Sequence, residues 1–433
     1  MAFPVLPQLP LWVVYPILII AFFISFFYII VLLAGKKEEP KAKNYFPEIA
    51  FVIPARDVQQ WIGKCLYHII KQDYKSKIYA VVVNDASHDR TPEIVKELAK
   101  KYNSRLREII IVNRLKSIDK KAAAVNTGIR YVLKNLKSVE IIAPVDADTF
   151  IESDAIKKAM GYFEHDKNTM AVIGPLMPYN TEGFLGKMQY VEYVMSVFFR
   201  KLLHYSSALC VTPAFSIFRA EFFKKYGGYN ENTWTEDFDM ALKVKSKFYN
   251  IAQIDSKAYF VAPENLKKLN TERVRWAHGT WQAMFKDYNY MISPKYGAVG
   301  TFFLPVTVVL GTALIIAALL FLIYGVIAGA TWFFHNLAIG WKPVLEFKIS
   351  FFDVSVLLSD PRFILAAAGI LVSVIFWFYA QNYSKRKVNL IHYLLFFIPY
   401  TWFLAYTQLE GLIRYIFKLK MRWGEMHTQR KLN

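Results

Sequence analysis

Hydrophobic residues follow two different patterns along this chain. Long, nearly unbroken apolar runs occupy residues 11–34 and much of the chain after residue 297. Between them, from about Tyr45, short apolar runs alternate with stretches in which apolar residues recur at helical spacing. Such alternation is typical of a parallel sheet with helices on both faces. The pattern predicts an α/β domain of about 250 residues, a usual single-domain size, between membrane segments.

The spacing of apolar residues also assigns individual elements. Strands are predicted at 49–54, 78–83, 109–112, 139–145 and 171–174, and an extended stretch at 209–218. Helices are predicted at 61–72, 92–102, 122–136, 183–204 and 236–246. Residues 188–203 are apolar enough to suggest a membrane span. Glu192, Arg200 and Lys201 instead favour an amphipathic helix lying against the domain or the membrane interface.

The first apolar run, residues 11–34, predicts a membrane-spanning helix. At about 1.5 Å per helical residue it is long enough to cross a bilayer. A signal peptide is the competing interpretation, but the apolar core is too long for one and no basic segment precedes it. Lys36 and Lys37 follow the run, which places the next segment in the cytoplasm.

Further spans are predicted at residues 303–328, 363–379 and 390–406. The expected organisation is a multi-pass protein of the cell membrane, with a helix and linker at 1–43, a cytoplasmic domain at 44–297 and a membrane bundle with a basic tail at 298–433. Residues 384–387 should be cytoplasmic, yet three later spans would leave outside the basic residues of the tail: Lys418, Lys420, Arg422, Arg430 and Lys431. Either Pro399 breaks the last segment into a re-entrant element, or the span count is wrong by one.

Composition agrees with this division and narrows the partners. The 433 residues are 55% hydrophobic, too apolar for an ordinary soluble enzyme, while 20% charged residues are too many for a wholly embedded protein. The net charge of +19, beside long apolar segments, favours contact with membrane lipids and phosphorylated substrates over nucleic acid. The two cysteines, Cys65 and Cys210, lack the spacing of a disulfide framework or a zinc site.

Polar clusters follow several predicted strands, where a shared cleft would collect them. Asp146 and Asp148 follow the fourth strand, and two carboxylates at this spacing suit a hard divalent cation that keeps a phosphate as partner. The other clusters are residues 84–85, 235–237 and 273–276. Singly, each also fits a turn, a helix start or an interfacial anchor. Together they fit group transfer from a nucleotide-diphosphate donor, which needs a metal, cations, a base and an aromatic surface for a sugar.

These clusters resemble the motifs of family 2 glycosyltransferases of the processive, membrane-integrated kind, which include hyaluronan, chitin, cellulose and poly-N-acetylglucosamine synthases. In order, the motifs are Val-Ile-Pro-Ala (52–55), Gln-Asp-Tyr (72–74), Val-Asn-Asp-Ala-Ser (83–87), Lys121 with Asn-Thr-Gly (126–128), Asp-Ala-Asp (146–148), Thr-Glu-Asp (235–237) and Arg-Val-Arg-Trp (273–276). Residues 209–219 are similar to the switch-like segment that meets the acceptor end in hyaluronan and cellulose synthases. The resemblance implies an α/β, GT-A-type (Rossmann-like) fold for the cytoplasmic domain.

The resemblance also implies roles for individual residues. On the donor side, it implies contacts to the uracil and ribose of a UDP-sugar (Ala55, Asp85), to the nucleotide (Lys121, Asp146), to Mg²⁺ or Mn²⁺ (Asp148) and to the leaving diphosphate (Arg275). On the acceptor side, it implies a general base with its neighbour (Asp237, Glu236), a ring that stacks on the sugar (Trp276) and two further contacts (Cys210, Thr212). In-line attack on an α-linked donor would give a β linkage.

Two positions depart from the family pattern. Asn84 stands where the family often has Asp, and Glu272 stands where it usually has Gln. A carboxylate near the diphosphate would repel it unless paired with Arg273 or the metal, which bears on processivity rather than on the transfer chemistry. Cys210 is expected to be a small buried residue rather than a reactive one. His278 is expected to pack between helices rather than to neighbour the metal.

The sequence therefore predicts a membrane β-glycosyltransferase that extends a polysaccharide from a cytoplasmic UDP-sugar, with UDP-N-acetylglucosamine as the preferred donor. Its nearest alternative is an enzyme that adds one sugar to a membrane lipid. A transporter with a nucleotide-binding domain is disfavoured because few charges lie in the predicted spans. An inactive scaffold is disfavoured by Asp148, Asp237 and Arg275. The oligomeric state is left open.

Overall fold

A computed structural model of the chain describes residues 11–34, 38–117, 120–340, 361–383, 389–419 and 421. The chain divides into two compact units, one drawn from Met1–Lys36 and Thr307–Lys385 and the other from Lys37–Val306 and Arg386–Asn433. Most basic residues on which the predicted sidedness depends lie outside the described residues: Lys36, Lys37, residues 384–387, Lys420, Arg422, Arg430 and Lys431.

The elements are numbered in chain order. The strands are β1 (Glu48–Ala55), β2 (Ile78–Asp85), β3 (Arg107–Arg114), β4 (Val139–Pro144), β5 (Thr149–Ile151), β6 (Thr169–Ile173), β7 (Leu176–Pro178), β8 (Ser216–Arg219), β9 (Asn250–Gln253) and β10 (Ala258–Phe260). The helices are α1 (Leu11–Leu33), α2 (Ile62–Ile70), α3 (Thr91–Tyr102), α4 (Lys121–Asn135), α5 (Ala155–His165), α6 (Gly183–Tyr205), α7 (Ala220–Tyr226), α8 (Glu236–Ser246), α9 (Leu266–Gln282), α10 (Leu304–Ile339), α11 (Pro361–Ala380), α12 (Leu390–Leu395) and α13 (Thr401–Ile416).

The larger unit is built on a seven-stranded sheet in the order β3-β2-β1-β4-β8-β6-β9. Strands β1 to β4 run parallel, as do β6 and β9. The sequence predicted a parallel sheet, and this is wrong at β8, which runs antiparallel to both β4 and β6. A second sheet, β5-β10-β7, was not predicted, because strands of three residues are too short to show a period of two.

The core lies against β1 and β2, whose apolar runs are buried on both faces, as in other parallel sheets. Helix α4 approaches this sheet closely because Gly128 lacks a side chain. A Cβ there would lie 2.4 Å from Cγ1 of Val52 and 2.9 Å from Cγ2 of Val83. The close approach fixes the first residue of the helix, Lys121, near the carboxyl ends of the strands.

The smaller unit contains α1, most of α10, and α11. The predicted spans at residues 303–328 and 363–379 coincide largely with α10 and α11. Within the described ranges, no helix has the length and hydropathy required of a membrane span.

The last predicted span, residues 390–406, belongs to the larger unit. Its helix is interrupted by a π-helical turn at Phe396–Tyr400 that contains Pro399. Proline lacks the N–H that an α-helix needs at that position, so the turn widens there. Helix α13 then packs against α9. A Cβ on Gly411 would lie 2.5 Å from Cβ of Ala277, so the two helices touch through backbone.

Candidate active site

The predicted nucleotide-binding residues lie at the carboxyl ends of β1 and β2, where Ala55 pairs in register with Asn84. Asp85 ends β2, and Nη1 of Arg114 lies 2.5 Å from its Oδ1. The Ser117 hydroxyl donates to its other oxygen at 2.7 Å. The carboxylate of Asp85 is thereby held in one orientation at the strand end.

Asn84, the first departure from the family pattern, has a structural role in the turn after β2. Its Nδ2 donates to Oδ1 of Asn113 at 2.9 Å, and its own Oδ1 accepts from the backbone N–H of Ser87 at 3.1 Å. The intervening Ala86 has a positive φ of 54°, which the side-chain hydrogen bond helps to hold. An aspartate there could not donate the bond to Asn113 while ionised.

Lys121 joins the two halves of the predicted site. Its Nζ lies 2.6 Å from Oδ1 of Asp146, which follows β4, and 3.3 Å from Oε1 of Glu236, which begins α8. Burial disfavours the charged ammonium, but Asp146 and Glu236 outweigh burial and raise the pKa of Lys121. Lys121 therefore brings residues 146 and 236 together.

Asp148 lies near this ion pair and is only partly exposed. Burial raises the pKa of its carboxyl to about 7, with a further contribution from Asp146, while Lys121 opposes the shift. Glu272 also raises this pKa, which brings α9 into the same electrostatic environment. A divalent cation would remove the penalty on the charged carboxylate, so the oxygen donors of Asp146 and Asp148 suit a hard metal. Over the described residues, however, no group of three or more acidic, His or Cys side chains forms a metal site.

Asp237 lies in the first turn of α8, the end of a helix that stabilises negative charge. The backbone N–H of Phe238 donates to its Oδ1 at 2.8 Å. Burial and the neighbouring Glu236 nevertheless raise the pKa of Asp237, although Lys121 and Arg275 oppose them. Burial also acts on Glu236, but there Lys121 and Arg275 win, and its pKa is lowered. Burial and the neighbouring charges thus shift the pKa values of the two adjacent carboxyls in opposite directions, upward at Asp237 and downward at Glu236.

The predicted acceptor residues, and the predicted diphosphate contact Arg275, lie around α8 and α9. Thr212 is buried, and its hydroxyl donates to the backbone carbonyl of Asp237. Cys210 is buried, as expected, and burial raises the pKa of its thiol to about 12, which makes it unreactive. Arg275 donates from Nη1 to the carbonyl oxygen of Trp234 at 3.0 Å. The ring of Trp276 has the guanidinium of Arg273 4.2 Å from its centroid.

Glu272, the second departure, is paired with its neighbour Arg273, whose Nη1 donates to Oε1 of Glu272. Arg273 is buried and also makes a bidentate pair with Glu192 of α6, at 3.1 and 2.9 Å. The Tyr400 hydroxyl donates to Oε2 of Glu192 at 2.6 Å. A carboxylate at position 272 was expected to repel the diphosphate unless it was paired with Arg273 or the metal. The pairing with Arg273 is present.

His278 lies between the rings of Trp234 and Tyr415, at centroid distances of 6.1 and 5.8 Å. Burial lowers its pKa, and so does Arg414, which favours the neutral ring. These contacts support helix packing as its role.

Sequence reasoning missed several residues of this site: Arg114, Ser117, Glu192, Arg200 and Tyr400. Arg114 is the register partner of Asp85 on β3, so extending the strand-end rule to β3 would have found it. Arg200 of α6 interacts electrostatically with Asp237. The signal for Glu192 and Arg200 was present, since both are charged residues in the mostly apolar stretch at residues 188–203.

Comparisons with known proteins agree with this arrangement. The model of the Glycosyl transferase family 2 matches residues 50–227, and that of Glycosyl transferase family group 2 matches residues 141–406, the larger part of the chain. The poly-beta-1,6-N-acetyl-D-glucosamine synthase of Staphylococcus epidermidis is 26% identical over 277 residues, which are 63% of this chain and 63% of that protein. The same enzyme of Staphylococcus aureus (strain COL) is 26% identical over 243 residues, 55% of this chain and 56% of the relative.

Among solved structures, the mannosyltransferase PcManGT from Pyrobaculum calidifontis, in complex with GDP-Man and Mn²⁺, has a TM-score of 0.57 at 17% identity. The match covers 94% of this chain and 100% of that one. This likeness supports the GT-A-like α/β fold. The matched regions, the fold and the cluster around Lys121 lead to one assignment: the chain belongs to glycosyl transferase family group 2 and is a family 2 glycosyltransferase.

Proposed function

We propose that this enzyme is an inverting, membrane-embedded glycosyltransferase that uses a UDP-sugar and Mg²⁺ or Mn²⁺ to extend a β-linked polysaccharide. The observation that carries the proposal is the position of Lys121, whose Nζ contacts both Asp146 after β4 and Glu236 beside Asp237. A donor diphosphate held at Lys121 and an acceptor hydroxyl at Asp237 would then lie within one pocket, as direct transfer requires.

On the donor side, Ala55 and Asp85 bind the uracil and ribose, and Asp85 is oriented for this by Arg114 and Ser117. Lys121 and Arg275 face the diphosphate. Asp148, with Asp146 beside it, would hold the metal, which would supply positive charge against the diphosphate. The guanidinium and ammonium stabilise the negative charge that develops on UDP as the bond between the anomeric carbon and the diphosphate oxygen breaks.

On the acceptor side, the Asp237 carboxylate takes the proton of the acceptor hydroxyl while the hydroxyl oxygen bonds to the anomeric carbon. The partners of this base support the role, because burial and Glu236 raise its proton affinity while the helix start keeps it available in the ionised form. Trp276 offers a ring for stacking on the acceptor sugar. Thr212 supports the acceptor side because its hydroxyl donates to the Asp237 carbonyl, and Cys210 is a buried residue two positions before it.

The similarity to the two staphylococcal synthases supports UDP-N-acetylglucosamine as donor and a growing polysaccharide as acceptor. The sequences of α1 and α10 support insertion in the cell membrane, since neither contains an Asp, Glu, Lys or Arg residue over 23 and 36 residues respectively. With the catalytic unit in the cytoplasm, these segments would contact membrane lipids and form a path for the product.

The test is UDP or GDP release by the purified protein with UDP-N-acetylglucosamine, UDP-glucose and GDP-mannose, each with Mg²⁺, Mn²⁺ or EDTA, followed by sizing of the product. We expect metal-dependent release from UDP-N-acetylglucosamine and a product of many sugars. If the product is instead a lipid carrying one sugar, the enzyme adds a single sugar and does not extend a polysaccharide. Release that is equal with EDTA would contradict the role of Asp148.

A further inference from the structure

A cavity of about 710 Å³ lies in the larger unit, and its lining shares no residue with the catalytic cluster. It is bounded by the linker before β1 (Glu38 to Lys43), the ends of α5 and α6, the last turn of α8 and the start of β9. Its basic lining residues are Lys41, Lys43, His165, His204 and Lys245, and its acidic ones are Glu38, Glu39 and Asp166.

Two of the acidic residues are already satisfied by the protein. Glu39 accepts from the backbone N–H of Asp255 at 2.5 Å and lies 3.7 Å from Nζ of Lys201. Asp166 accepts hydrogen bonds from the backbone N–H of Asn168, from Oγ1 of Thr169 and from Nδ2 of Asn250. Both carboxylates therefore already have hydrogen-bond donors within the protein, and Glu39 also has the Lys201 ammonium nearby.

The lysines that line the cavity are less well paired than these two carboxylates. Lys245 is only 8% exposed, and its one hydrogen bond to the part of the chain that the structure describes is to the carbonyl of Ser207, at 3.4 Å. No described carboxylate lies within 4.0 Å of its Nζ. Burial lowers the pKa of Lys245, the expected result for an ammonium without a counter-charge. Lys41 and Lys43, on the exposed linker, likewise have no carboxylate among the described residues within ion-pair distance of their Nζ atoms.

A buried ammonium that is not paired is costly, and an anion bound against it would supply both the missing charge and the missing hydrogen-bond acceptor. Phosphate matches three lysines that line one cavity better than a carboxylate does, because its oxygens accept from several directions. We propose that this cavity binds the phosphate group of a small anion, held by Lys245 from within and by Lys41 and Lys43 from the linker.

The phosphate can come from a free anion or from a lipid headgroup, and the experiment separates the two. Purified full-length protein, with its donor site saturated by UDP and Mn²⁺, is titrated in a calorimeter with inorganic phosphate in one arm and with dihexanoylphosphatidylglycerol in the other. Saturable heat with inorganic phosphate identifies a free anion, and saturable heat with the lipid alone identifies a headgroup. Heat in neither arm overturns the proposal.

The variant that tests the site is Lys245→Met, which keeps the length of the side chain and removes its charge. We expect it to weaken binding at least about tenfold, the loss of one charge-assisted hydrogen bond. The matched control is Lys247→Met on the exposed surface two residues away, which should bind like the wild type. Equal binding by Lys245→Met and the wild type overturns the proposal.

A second variant covers the case in which Lys245→Met fails to fold. Lys43→Ala changes an exposed linker residue, so folding is unaffected, and binding should weaken about threefold, the scale of one exposed charge pair. Binding by Lys43→Ala at wild-type strength would contradict the linker's part in the site. Because the readout is binding with UDP present, its result is independent of which sugar the enzyme transfers.

Discussion

The donor side and the acceptor side of the site are constructed differently. On the donor side, ion pairs join neighbouring strands or the helix next to them, as in Arg114 with Asp85 and Lys121 with Asp146. On the acceptor side, Arg273 of α9 depends on Glu192 of α6 and, through it, on Tyr400, which is 208 residues from Glu192 in sequence. These donor-side ion pairs thus follow from the sheet and the helix beside it, whereas the ion pairs of Arg273 require the chain beyond α11.

The largest effect is expected where the two sides meet. Asp237→Asn removes the proposed base but keeps its size and its bond from Phe238. Turnover should fall by about 10² to 10⁴, the usual contribution of general-base catalysis, while UDP binding is retained. UDP release and UDP affinity are both measured.

The matched control for this change is Glu97→Gln, an exposed carboxylate outside every motif that lies 3.8 Å from Nη2 of Arg90, which should leave turnover unchanged. If Asp237→Asn retained wild-type turnover, another group would have to be the base.

The next effect concerns the acceptor side alone. Among the described residues, Glu192→Gln leaves the buried guanidinium of Arg273 with Glu272 as its one charged partner. Losing one member of a buried pair should lower the free energy of unfolding by about 3–5 kcal/mol. Chemical denaturation of the larger unit measures it, with the exposed Glu182→Gln as control. An unchanged unfolding midpoint would show that α6 and α9 do not depend on this pair.

A smaller effect is expected at the link to the C-terminal segment. Tyr400→Phe removes one hydroxyl and its 2.6 Å hydrogen bond to a carboxylate, which should cost about 1.5–3 kcal/mol. Tyr67→Phe, at a half-exposed tyrosine of α2, is the control. If both variants unfolded at the same denaturant concentration, the segment after residue 389 would not support the acceptor side.

The smallest effect is a change in pH dependence. Because burial and Glu236 raise the pKa of Asp237, the ionised base should be lost, as pH falls, at a higher pH than for an ordinary aspartate. Glu236→Gln removes the negative neighbour, so the acidic limb of kcat/KM should move to lower pH. If the limb moved to higher pH or stayed in place, Asp237 would not be the group whose ionisation limits kcat/KM at acidic pH.

The same contrast explains what could be predicted from the sequence. Strands β1, β2 and β4 and helix α8 were predicted to within two residues at each end, since long periodic runs define them, and β3 was predicted at half its length. Lys121, Asp146 and Glu236, which the sequence assigned to one site, lie within ion-pair distance of a single ammonium, that of Lys121. The direction of β8 was not predicted, because four residues carry no information about the neighbouring strand. The bonds of Glu192 and Tyr400 could not be predicted, since hydropathy alone groups residues 390–406 with the predicted spans. One sequence signal was available. Glu410 and Arg414 lie four residues apart in α13, where they form an ion pair, and charged side chains are rarely placed against lipid.

The contact of Gly411 with α9 has a consequence for biosynthesis. Domains generally fold from the amino terminus while the ribosome is still translating. Here the helix that carries Arg275 and Trp276 meets the backbone of α13 only after residue 411 has left the ribosome. The sheet can form early, but α9 acquires its last supporting surface only after α10 and α11 have been made. We expect that a nascent chain released before this point is able to hold nucleotide and unable to polymerise.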